Sequence, residues 1–133
     1  MRFTSTNSRN QIRERQRRDR ATAQALRSAY PNFASLRIEF DFSEPGIAAP
    51  APQVLVLHPP SQAYFVFPCP YSDCDGEFDL TNVVAALSRS GDANCEGHQR
   101  CGGQRVREGG RVPCDLTLEY FVAPDLVGRP AGG

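Results

Sequence analysis

Residues 67–80, FPCPYSDCDGEFDL, decide how this chain is read. Cys69 and Cys74 stand with four residues between them on a loop that leaves an apolar run. That spacing lies within the range of two ligands on one zinc loop. Gly76 follows Cys74 by two residues and lets the backbone turn tightly, so that amide N–H groups can point at the sulfur. Two buried core thiols are the alternative reading, since free cysteine is a common interior residue. Around the loop, Asp73, Asp75, Glu77 and Asp79 read as solvated loop acids. Their spacing is not that of a calcium-binding EF-hand.

Working outward, the chain holds five cysteines between Cys69 and Cys114 and none in the first 68 residues. An odd count with no secretory signal in view argues against a disulfide framework and for a metal. Two assignments compete for the second pair of ligands. Cys95 with Cys101 makes a five-residue loop, longer than usual, with His98 inside it. Cys101 with Cys114 repeats features of the first pair: Cys101-Gly-Gly103 echoes Cys74-Asp-Gly76, and Pro113-Cys114 echoes Pro68-Cys69. We favour Cys101 and Cys114, which leaves Cys95 and His98 on a Gly/Asp/Asn-rich loop. A strict turn at Gly109-Gly110 would set Cys114 opposite Arg105, so this pairing needs a bulge or a different turn.

The flanks read as a mixed α+β domain. In residues 35–43, SLRIEFDFS, Leu36, Ile38, Phe40 and Phe42 alternate with Arg37, Glu39 and Asp41, the period of a half-buried strand. QVLVLH (53–58) and AYFVF (63–67) are apolar on both faces and are expected inside the sheet, giving a three-stranded antiparallel meander. Residues 79–90 switch to helical spacing through Leu80, Val83, Val84 and Leu87, with Asp79 as a cap, and supply one covering helix. A C-terminal hairpin follows from GQRVRE and RVPCDLTLEYFV, its second strand alternating through Leu116, Leu118, Tyr120 and Val122. The domain is expected over residues 32–122, with a flexible tail over 123–133.

Residues 1–31 form a separate arm. They carry eight arginines against Glu14 and Asp19, a net of +6. Residues 32–133 carry seven arginines against thirteen acids, a net of −6, so the formal charge of zero hides a basic arm on an acidic body. All fifteen basic residues are arginine, a usage that suggests a GC-rich, bacterial coding sequence. The segment from Ser8 to about Arg27 is a helix former without an apolar face. Its arginines, over residues 9–27, suit nucleic acid, a ribosome or an acidic protein, or the chain's own acidic body. It lacks aromatic residues for base stacking, so nucleic-acid contact would be to backbone.

FPCPYSDCDGEFDL, RCGGQR and PCDLTLEY together resemble small bacterial zinc-ribbon-like proteins of unassigned function, over roughly residues 36–122. The resemblance implies one structural zinc on Cys69, Cys74, Cys101 and Cys114. It leaves Cys95 as an extra thiol and carries no catalytic residue onto the chain. Zinc would also offset a small core, because it can contribute about 10 kcal/mol or more to folding a small domain.

The expectation is therefore a non-enzymatic, cytoplasmic zinc module with no membrane span. The alternative is a zinc- or thiol-responsive redox regulator using Cys95. A cysteine-dependent enzyme comes last: Cys95 and His98 are the sole sequence-local Cys/His pair, and no phosphate-binding loop or oxyanion motif accompanies them.

Overall fold

Alternation in the sequence builds the two longest strands, and these two form the centre of the molecule. The computed structural model describes residues 5–107 and 109–128. Within them the chain runs α1 (Ser5–Thr22), α2 (Leu26–Ala29), β1 (Phe33–Ser43), β2 (Gln53–Leu57), β3 (Val66–Pro68), β4 (Glu77–Asp79), α3 (Thr81–Ser90), β5 (Cys95–Arg100), β6 (Gln104–Arg107), β7 (Gly110–Pro113) and β8 (Thr117–Leu126). The fold is α+β with antiparallel sheets: a four-stranded sheet in the order β2-β1-β8-β5, and two small ribbons, β3-β4 and β6-β7.

β1 and β8 pair from Phe33↔Leu126 to Ser43↔Thr117. Period-two alternation then sends Leu36, Ile38 and Phe40 of β1, with Leu118 and Val122 of β8, to one face, where all five are buried. That face is covered by α3 through Val84 and Leu87, and by Phe65 and Phe78. Each such side chain contributes about 1.5–3 kcal/mol by leaving water. The other face carries Arg37, Asp41, Glu96, His98 and Glu119, all exposed.

The expected meander does not form. β2 pairs with β1, whereas β3 pairs with β4. The reason lies in the connection. Pro59 and Pro60 offer no N–H, and the chain after them turns to the segment between α1 and α2. There Leu26 N–H donates to Ser61 O (2.7 Å), Arg27 N–H to Pro59 O (3.0 Å) and Ala63 N–H to Gln24 O (2.7 Å). β2 is consequently an edge strand, not an interior one, with Val54 54% and Val56 40% exposed.

Three further expectations change. The loop expected around Cys95 is strand β5, paired from Cys95↔Val122 to Arg100↔Thr117. Its polar sequence hides it because alternate residues face water, and Gly97 leaves room for the Tyr120 ring, whose hydroxyl would stand 2.5 Å from a Cβ there. Residues 123–126, expected in the flexible tail, belong to β8. Pro124 is tolerated because β5 ends opposite Val122, so no second ladder is interrupted. The C-terminal hairpin forms only as β6-β7, while the rest of its expected second strand becomes β8 and pairs with β1 and β5 in the main sheet. Residues 129–133 lie outside the described part.

The covering helix forms over Thr81–Ser90, with Leu80 rather than the expected Asp79 in the N-cap position. Asp79 Oδ1 accepts the Thr81 N–H at 2.9 Å, and Gly91, at φ 72°, closes the helix in the left-handed conformation. The basic arm docks on the body. Gln16 is buried at 2% exposure, and its Nε2 donates to Glu77 at 2.6 Å beside Arg15, which donates to the same carboxylate at 2.6 Å. Leu26 of α2 is fully buried in the core.

Candidate metal centre

Two loops and one strand end bring four sulfurs together. The first loop leaves β3 at Cys69 and returns at β4. Cys69 N–H donates to Gly76 O (3.0 Å), and Cys74 N–H to Tyr71 O (3.3 Å). Gly76 N–H points at Cys74 Sγ, 3.3 Å away. The second loop joins β5 to β6 and repeats this turn: Gly103 N–H points at Cys101 Sγ at 3.4 Å. Cys114 sits between β7 and β8, its N–H donating to Gly103 O at 3.0 Å, while Cys101 N–H donates to Leu116 O at 2.9 Å. The β6-β7 register pairs Gln104 with Pro113 and Arg107 with Gly110, so the turn falls one residue before the expected Gly109-Gly110. That shift sets Cys114 beside Gly103 rather than opposite Arg105 and brings its thiol to the others.

The Sγ atoms of Cys69, Cys74, Cys101 and Cys114 all lie within 4.8 Å of one another, and all four residues are buried. The Cys74 and Cys101 sulfurs are 3.6 Å apart. A tetrahedral zinc with thiolates at about 2.3 Å requires sulfurs about 3.8 Å apart, so the donor set fits such an ion. The four cysteines are positioned to hold a metal ion.

Of the other candidates, neither joins the cluster. Cys95 begins β5 opposite Val122 and packs half-buried against the core. His98 is exposed on the solvent face of the sheet, opposite Glu119.

In comparisons with known proteins, no family model matches the chain, and neither a curated protein nor a solved structure matches it.

The two loops stand back to back. A Cβ on Gly103 would strike the backbone N and Cα of Gly76, and a Cβ on Gly76 would strike Cys101 Sγ. Asp75 N–H donates to Gln104 O (3.2 Å), and Gln104 N–H donates to Asp75 Oδ1 (2.8 Å). Behind Cys74, Arg105 donates to Asp73 at 3.0 Å, lies 3.7 Å from Glu44, and stacks 3.8 Å over the Tyr71 ring. The Glu44 side chain is 5% exposed and that of Arg105 12%, so this cluster is shielded from salt.

The acids of the first loop, read as solvated, therefore each hold something. Asp73 binds Arg105, Asp75 caps the second loop, Glu77 anchors α1, and Asp79 accepts the first N–H of α3. Their i, i+2 spacing around two cysteines was the available signal.

Without metal the thiols share protons unequally. Hydrogen bonds from Cys101 and then Cys69 hold the Cys74 thiol down at about 2, so it is the thiolate of the group. Hydrogen bonding to Cys101 and Cys74 pushes Cys69 up. At Cys101 the hydrogen bond with Cys69 acts downward, but that with Cys74 and burial outweigh it and leave the thiol at about 12. Burial raises Cys114. A divalent ion would replace these protons and draw on all four sulfurs as thiolates.

Proposed function

We propose that this chain is a non-enzymatic module whose fold is closed by one structural zinc on Cys69, Cys74, Cys101 and Cys114. The observation that carries the reading is the burial of four sulfurs within 4.8 Å of one another. Four thiolates fill a tetrahedral site and leave no position for a reacting water, which favours a structural over a hydrolytic role. The ion would join the β3-β4 ribbon to the β6-β7 ribbon, two elements too short to be stable alone. The zinc-ribbon-like resemblance agrees in its choice of ligands. The redox alternative is less favoured, because Cys95 lies outside the cluster. Contact with nucleic acid, a ribosome or an acidic protein is also less favoured. Arg15 and Gln16 of the arm are engaged with the chain's own Glu77.

Native mass spectrometry of the intact chain and of each Cys→Ser variant tests the proposal. One zinc is expected per chain, retained in Cys95→Ser and lost or weakened in each of the other four. A metal-free native chain, or a zinc that depends on Cys95, refutes it.

A further inference from the structure

A second feature lies beside the thiol cluster, with Cys69 on its border. Between α1 and the inner face of β1 and β2 runs an open trough of about 890 Å³. Its floor is apolar, built from Phe40 and Phe42 of β1 and Leu55 and Leu57 of β2, and its wall carries Arg13 and Arg20. β3 pairs with β4 instead of β2, and among the described residues no strand pairs with the outer edge of β2.

Charge distinguishes this trough from the rest of the body. Among the described residues no aspartate or glutamate lines it, although the body is acidic. Arg15 and Arg17 of the same helix pair with Glu77 and Glu14, at 2.6 and 2.7 Å. Among the described residues, Arg13 and Arg20 take part in no ion pair. The Nε of Arg13 is buried without a hydrogen-bond partner. Arg20 rests its guanidinium 5.4 Å over the Tyr64 ring. The two arginines stand seven residues apart, about two helical turns, on one side of α1. A buried polar atom without a partner is costly, and an apolar floor beneath two guanidinium groups outside any ion pair selects an anion that brings its own apolar body. The volume lies in the range of small-molecule sites.

We propose that the trough binds an amphipathic carboxylate of the fatty-acid type, with its chain along Phe40, Phe42, Leu55 and Leu57 and its head group at Arg13 and Arg20. The floor contributes apolar contact, and the arginines set the preference for charge. None of these six residues belongs to the thiol cluster, although the trough adjoins it, since Cys69 with Pro68 and Pro70 also lines it.

Titration calorimetry of the full chain as purified with dodecanoate, and separately with dodecan-1-ol, tests it. Dodecanoate is expected to bind one to one and at least about tenfold tighter than the alcohol. The double change Arg13→Gln and Arg20→Gln is expected to remove that preference. On the unchanged chain, NMR shifts caused by dodecanoate are expected at residues 40–42, 53–57 and 13–20. Absence of saturable binding, equal affinity for the alcohol, or shifts confined to the solvent face of the sheet overturns the proposal. Dimerisation of the free chain that dodecanoate does not reverse would assign the trough to a second copy and also overturn it.

Discussion

Replacing Gly103 by alanine tests whether the two cysteine loops act as one unit. The added Cβ would overlap the backbone N and Cα of Gly76 and stand 2.9 Å from Asp75 Oδ1. Backbone atoms cannot rotate away, so the loops must part. Cys101 precedes Gly103 by two residues, and Cys74 precedes Gly76 by two, so parting the loops separates their sulfurs. Metal–ligand distances tolerate only about 0.2 Å, and disturbing the groups around metal ligands costs roughly ten- to a hundredfold in affinity. A hundredfold is about 2.7 kcal/mol, within the usual 1–3 kcal/mol for forcing extra atoms into a packed site. Gly102→Ala is the control, because a Cβ there meets nothing within 4 Å. Competition for zinc against a chromogenic chelator is expected to show Gly103→Ala weakened by that factor and Gly102→Ala unchanged. Equal affinities for Gly103→Ala and the native chain refute the back-to-back arrangement.

The remaining tests bear on the body. Glu77→Gln weakens the anchor of α1. Because the pair is partly exposed, the loss is expected to be about 1 kcal/mol, read as faster amide exchange over residues 10–22 with the β1-β8 ladder unchanged. Phe78→Ala, at a side chain 1% exposed, is expected to cost about 3–5 kcal/mol in urea unfolding. With metal chelated and thiols kept reduced, stability is expected to peak in the ordinary thiol range. Cys74 is depressed, so stability falls as pH drops below that range. Cys69, Cys101 and Cys114 are raised, so it also falls as pH climbs above it. A urea midpoint that keeps rising with pH past that range would contradict this assignment of protons.

The sequence shows some elements directly because one physical signal dominates them. β1 and the first half of β8, through Val122, show as alternation, α3 as a helical stripe, and the four clustered cysteines as two Cys-x-Gly turns and two Pro-Cys pairs. β5 does not show, because CEGHQR lacks apolar residues and gains its strand form from pairing with β8. β2 and the run after it mislead for the opposite reason: apolar residues on both faces suggest a sheet interior. The decisive fact, that Pro59 and Ser61 bond to the segment after α1, is a tertiary one. The roles of Asp73 and Glu77 depend on partners 32 and more than 60 residues away, beyond the reach of any local pattern.

The ladder between β1 and β8 also governs how the chain comes to be folded. Ten residue pairs, about ninety positions apart at one end, hold the sheet together. Such distant pairings form slowly. During synthesis Phe33 to Phe42 emerge long before their partner strand and wait with only β2 to cover an edge. A nascent chain stalled short of residue 117 has no central strand to close upon, and its aromatic side chains become a target for chaperones.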